Sequence, residues 1–153
     1  MKKTLIILST LLLTSFQAFA DDKADVLATF DKYVNDANNY STNLPNHYIS
    51  NAKILRTVNK KQGGQKTIQI PFDRYLSELQ AHSTLAKTLK YKNNYTDRKI
   101  SKQDNDYKIT ANRVPRNDKT GLPCYFVYTK QNNVWKIKEE NLSTNVQTFL
   151  NAK

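Results

Sequence analysis

The stretch Leu122–Ser143, LPCYFVYTKQNNVWKIKEENLS, limits what this chain can fold into more than any other. Two apolar-alternating runs, Leu122–Lys130 and Val134–Glu140, flank the polar Gln131-Asn132-Asn133. Successive side chains of a strand point to opposite faces, so alternation rich in aromatic and β-branched residues predicts two strands, and asparagine tolerates the positive φ of the tight turn between them. This is a β-hairpin. One face carries Cys124, Phe126, Tyr128, Trp135, Ile137 and Glu139; the other carries Tyr125, Val127, Thr129, Lys136 and Lys138. The first face is the more apolar and has to be covered, which calls for helices from elsewhere in the chain.

Met1–Ala20 is set apart from that domain. Lys2 and Lys3 form a positive start, Leu5–Leu13 is an apolar core far shorter than the roughly 20 residues of a membrane span, and Ala18-Phe19-Ala20 is an A-x-A cleavage site. The pattern predicts a bacterial export signal. No cysteine stands at the cut to take a lipid anchor, so the expected address is the periplasm, with secretion as the alternative. The 133 residues of 21–153 suffice for one domain, and they contain no second long apolar run, so no transmembrane segment is expected. Loss of Lys2 and Lys3 takes the formal net charge from +11 to +9. Outside the cytoplasm such a surplus points to lipid headgroups, lipopolysaccharide phosphates, cell-wall polymers or an acidic protein rather than to nucleic acid, or equally to a highly soluble basic surface with no special partner. Cys124 is the one cysteine, so an exported chain of this kind has no internal disulfide and must be held by its core.

The rest of the chain supplies the cover. Val26, Leu27, Phe30, Tyr33, Val34 and Ala37 recur at helical spacing and predict a helix over Asp25–Tyr40, with Asp21, Asp22 and Asp25 at the positive end of its dipole. Asn43–Tyr48, with Pro45 early in the first turn, predicts a second, very short helix. Asn51–Asn59 and Gln65–Ile70 read as strands joined by the charged turn Lys60–Gly64, with Ile54, Arg56 and Val58 on one face of the first. Pro71 ends the second strand, and Phe72, Tyr75, Leu76, Leu79, Ser83 and Ala86 predict a third helix whose stripe, widened by Leu85 and Leu89, docks on a sheet. Tyr91–Lys102 and Asp106–Arg113 are two further strands, Val114–Gly121 a loop, and Asn145–Leu150 a short helical tail. The class is α+β, with three helices and about six strands.

This order, with the junction Tyr48-Ile49-Ser50-Asn51-Ala52-Lys53-Ile54 and the run Val134-Trp135-Lys136-Ile137, resembles the nuclear transport factor 2-like superfamily, which includes SnoaL-like and ketosteroid isomerase-like proteins. The resemblance spans nearly all of residues 21–153. It implies a strongly curved, mixed but mainly antiparallel sheet forming a cone around the N-terminal helix, a pocket between sheet and helices, and homodimerisation through the sheet. It also implies a test, since isomerase-like members place a carboxylate base on the first strand near the position that Arg56 occupies here. A guanidinium stays protonated and cannot take a substrate proton. Other members use a His–Asp pair; neither His47 nor His82 has an aspartate at helical spacing.

No catalytic residue is therefore assigned. With two histidines and no H-E-x-x-H or C-x-x-C, no metal site or cofactor is expected. The candidate ligand-binding residues are those that strand parity and helical spacing turn inward: Tyr33, Tyr48, Arg56, Tyr107, Arg113, Tyr128, Trp135 and Glu139. Arg56, Arg113 and Glu139 on one face would form either a buried ion pair or a cationic anchor for an anionic ligand. The reading is an exported, non-catalytic binding protein holding a small anionic or amphipathic ligand or a protein partner, an immunity-type role among them. The alternative is a SnoaL-like isomerase, dehydratase or hydrolase with Tyr33, Tyr48 and Arg113 polarising a substrate. A cone filled by its own side chains argues against the enzyme; an open cavity with a paired acid and base argues for it.

Overall fold

The computed structural model describes residues 22–115 and 119–151. The expected export signal and part of the loop Val114–Gly121 lie outside the described residues. Helix α1 covers residues 22–38. It buries Val26, Phe30 and Tyr33, four and three residues apart, on one stripe. Tyr40 ends it in the left-handed region at φ 57°, with the Ser41 amide reaching back to the Asp36 carbonyl at 2.9 Å to satisfy an orphan acceptor.

The expected second helix is a single 3₁₀ turn, Leu44–His47. Pro45 has no N–H to give, and Tyr48 is already extended at φ −105° and ψ 153°, so no α-helical ladder can start there. Two α-helices, not three, are present among the described residues. Strand β1 runs Tyr48–Asn59, β2 Gln65–Ile70, β3 Asn93–Gln103, β4 Asp106–Pro115, β5 Leu122–Gln131 and β6 Val134–Thr144, with α2, Phe72–Thr88, between β2 and β3. A 3₁₀ tail, Gln147–Asn151, follows.

The strands form one sheet in the order β2-β1-β6-β5-β4-β3, mixed and mainly antiparallel as expected. It is open at both edges. Among the described strands only β1 and β6 pair in parallel, which sets Ile54 beside Glu140 and Arg56 beside Leu142. Bonded on both sides, by β1 and by β5, the last strand extends past the expected Glu140 to Thr144.

One irregularity in this strand decides the site. Opposite β5, Glu139 faces Val127 but Ile137 faces Tyr128, so Lys138 is an extra residue. Because side chains alternate with a period of two, a single extra residue exchanges the faces of everything beyond it. The expected inward Glu139 turns out and Glu140 turns in, fully buried at 0% exposure.

Helix α1 covers the inward face, where the Phe30 ring meets Phe126 at 5.2 Å and Tyr95 at 5.3 Å between centroids. Helix α2 adds Tyr75, with Phe72, Leu76 and Leu79 partly buried on the same core. Its docking stops there: Leu85 and Leu89, expected to widen the buried stripe, are 56% and 63% exposed.

Candidate functional site

The centre of the core is a polar cluster built from four elements. Tyr33 comes from α1, Tyr48 from the first residue of β1, Arg56 from the same strand, Tyr75 from α2 and Glu140 from β6. Tyr48 donates to Glu140 Oε2 at 2.6 Å and Tyr33 donates to the same oxygen at 3.2 Å. Tyr75 Oη lies 3.0 Å from Tyr48 Oη, and since the Tyr48 proton is given to Glu140, Tyr75 is the donor there. Arg56 Nη1 stands 2.9 Å from Glu140 Oε1 while donating to the Leu55 carbonyl at 2.7 Å. Oε1 has no aligned hydrogen bond, so Arg56 meets it mainly as a charge.

The electrostatics follow from burial. Tyr33 and Tyr48 are held well above the usual phenol range, first by the loss of water and next by the negative charge of Glu140. Burial works against the charge of Arg56, but Glu140 together with Tyr75, Tyr48 and Tyr33 outweighs it and the guanidinium pKa rises. These hydroxyls are donors locked in place, not poised acids. A buried carboxylate of this kind is stable only when its charge is compensated, and here two phenols bond Oε2 while the guanidinium charge stands beside Oε1. Glu140 is fully buried among these side chains.

The other expected site residues divide among four places. Tyr107 packs edge-on against Trp135 at 5.4 Å near the hairpin turn, with Lys130 5.3 Å over the indole. Tyr128 lies fully buried with its hydroxyl unpaired. Arg113 does not join Arg56: it bonds Tyr91 and Asn93 at the other end of the sheet. Glu139 is on the outward face, accepting from Tyr125 at 2.5 Å and paired with Lys53 at 3.5 Å. The expected set of Arg56, Arg113 and Glu139 is thus replaced by Arg56 and Glu140. Tyr75 and Glu140 are the members that sequence reasoning missed. Tyr75 had a signal, the apolar stripe of α2; for the carboxylate, strand parity pointed to Glu139 and away from Glu140.

His47 also departs from expectation. Its Nε2 lies 2.7 Å from Asp36 Oδ2, a pair formed across the α1–β1 connection rather than along a helix, with the imidazole edge-on to Tyr33 at 5.7 Å. It is a tie between the end of α1 and the 3₁₀ turn. Among the described residues no three His, Cys, Asp or Glu side chains gather as metal ligands, and no helix is long and apolar enough to cross a membrane.

Two open depressions lie away from the core. One, of about 410 Å³, is on the outward face of the sheet and is lined by Lys99, Thr110, Asn112, Tyr125 and Asn141 among others. The second, of about 610 Å³, is lined by Asn38, Lys90, Lys92, Asn93, Asn94, Val114 and Pro115.

No family model and no curated protein matches the chain. Solved structures do. A nuclear transport factor 2-like (NTF2-like) protein with a cystatin-like fold from Novosphingobium aromaticivorans superposes with a TM-score of 0.66 at 6% identity, covering 86% of each chain. The fold is nuclear transport factor 2-like. An NTF2-like protein of unknown function from Shewanella baltica OS155 matches at a TM-score of 0.57 and 10% identity, over 81% of this chain and 94% of that one. A protein from Novosphingobium aromaticivorans DSM 12444, provisionally assigned as a scytalone dehydratase, matches at 0.61 and 9% identity, over 83% and 86%. Within this NTF2-like fold, α1, α2 and the sheet enclose the Glu140 cluster.

Proposed function

We propose that this NTF2-like protein is an exported, non-catalytic binding module that engages an acidic protein partner through the outward face of its sheet. The observation that carries the reading is Glu140. Glu140, the one buried carboxylate among the described residues, is bonded by Tyr33 and Tyr48 and charge-paired with Arg56. An isomerase, dehydratase or hydrolase working in the cone would need a substrate to reach that carboxylate, and the core is packed where it would stand. Export is supported by the pattern of Met1–Ala20.

The outward face supports binding by its chemistry. Lys53, Lys99, Lys108 and Lys136 alternate onto it, with the Lys108 ammonium 4.0 Å over the Tyr125 ring, and the depression of about 410 Å³ gives it relief. Lysine-rich polar surface with a central aromatic suits an acidic protein, and long-range attraction would steer the encounter.

The test is capture from periplasmic extract by the immobilised chain of residues 21–153, beside a variant carrying Lys99→Glu and Lys108→Glu. A single species retained in stoichiometric amount by the first and released by the second is the expected result. Retention of nothing, combined with turnover of a small carbonyl substrate that Glu140→Gln abolishes, would return the protein to the enzymes.

A further inference from the structure

Arg113 is a buried cation that the Glu140 cluster does not use. Arg113 is 8% exposed, and its hydrogen bonds among the described residues go to neutral groups: Nη1 donates to Asn93 Oδ1 at 2.9 Å and Tyr91 Oη at 3.3 Å, and Nη2 to the Ser143 carbonyl at 3.0 Å. Nε is buried with no acceptor, and among the described residues no carboxylate pairs with the guanidinium. A charge withdrawn from water against dipoles alone is incompletely compensated. The missing element is an anion.

Asn93 shows where that anion would be. An arginine has only donors, so the Asn93 oxygen must face it, and Tyr91 Oη donates to the same oxygen at 3.2 Å. The Asn93 NH₂ then points the other way. Asn93 borders the cavity of about 610 Å³, and its Nδ2 has no acceptor among the described residues. The residue is also fixed in position, because the Asn38 side chain clamps its backbone with Nδ2 to the Asn93 carbonyl at 2.9 Å and Oδ1 from the Asn93 amide at 2.8 Å. The same cavity is lined by Lys90 and Lys92 and by no acidic side chain.

We propose that this cavity binds a phosphoryl oxyanion, held by Asn93 Nδ2 and the Lys90 and Lys92 ammonium groups. Arg113 acts behind them as a positioning residue and as countercharge. Three cations and an oriented amide with no carboxylate on the wall suit a doubly charged group better than a single carboxylate. The inference deepens the reading of the protein as a binding module, adding a small-ligand site at the sheet end remote from the hairpin turn.

The probe is inorganic phosphate, titrated at low ionic strength into ¹⁵N-labelled residues 21–153, with sodium chloride at matched ionic strength as reference. Saturable shifts of the Asn93 side-chain amide and of Lys92, absent with chloride, are expected. Asn93→Asp keeps the acceptor for Arg113 but turns a negative charge on the anion. It should weaken phosphate binding by roughly ten- to a hundredfold, the worth of one charge-assisted hydrogen bond, while the melting temperature holds or rises because Arg113 gains a carboxylate. Lys92→Gln should weaken binding several-fold with no change in melting temperature, and Lys61→Gln, in the exposed β1–β2 turn, should leave it unchanged. Phosphatidic acid vesicles that sediment the native chain but not Asn93→Asp would make the source a lipid phosphomonoester; binding of free phosphate alone would make it a soluble one. Shifts that do not saturate, that chloride reproduces, or that survive Asn93→Asp would overturn the site and leave the sealed Glu140 core, on which the binding-module reading stands, untouched.

Discussion

Removing one charge from the Arg56–Glu140 pair leaves the other stranded among aromatic rings. Glu140→Gln should cost on the order of 3–5 kcal/mol, read as a fall in the urea midpoint. The double variant Arg56→Met with Glu140→Leu should cost less than either single charge removal, because no unpaired ion remains; an equal or larger loss would mean that the pair contributes net stability. A second expectation concerns alkaline pH. Tyr33, Tyr48 and Tyr128 have pKa values raised by burial, and burial pushes the Cys124 thiol from 9.0 up to about 12. The unfolded chain releases these protons first, so their contribution is complete below about pH 9 and is lost as pH climbs toward 12. Urea midpoints measured from pH 8 to 11 should fall steadily above pH 9, and Cys124→Ala should flatten the first part of that fall. Cys124 is inert for the same reason, its thiol giving a 3.3 Å bond to the Ala111 carbonyl. At this scale Tyr33, Tyr48 and Arg56 were legible because helical spacing and strand parity turned them inward. Glu140 was not, because its parity depends on a neighbour's register.

The elements themselves were mostly written locally. Asn132 and Asn133 stand at φ 51° and 61°, the double positive turn that a two-residue hairpin requires, and the Asn-Asn pair announced it. Asn133→Gly should remove strain and raise stability by roughly 0.5 kcal/mol, visible as a small rise in melting temperature. The bulge at Lys138 left no local mark. Deleting Lys138 should restore the simple alternation with Ile137 and Glu140 still inward and Glu139 outward, so the chain should still fold, checked by retention of the near-ultraviolet dichroism of the buried tyrosines. Helix α2 is a different lesson, since its stripe continues to Leu89 while its packing ends near Leu79. Periodicity shows which side of a helix is apolar, not how far the surface beneath it extends. Leu85→Lys and Leu89→Lys should each change stability by less than about 0.5 kcal/mol, measured by urea unfolding.

For the molecule as a whole, a net charge of +9 over residues 21–153 predicts that partner capture through the sheet face weakens as salt is raised past about 0.15 M, where screening acts within about 8 Å; binding indifferent to salt would point away from the lysines. The sequence alone determined the α+β class, the long first helix, the hairpins and the aromatic lining, because each rests on propensities and periodicities that a few neighbouring residues express. Only the tertiary structure decided that the second helix is a turn, that Asp36 reaches His47, that Arg113 stands apart from Arg56, and that Glu140 rather than Glu139 occupies the core. The physical reason is that these features arise from pairing between residues far apart in the chain, where a parallel β1–β6 ladder and one extra residue opposite β5 set which atoms meet.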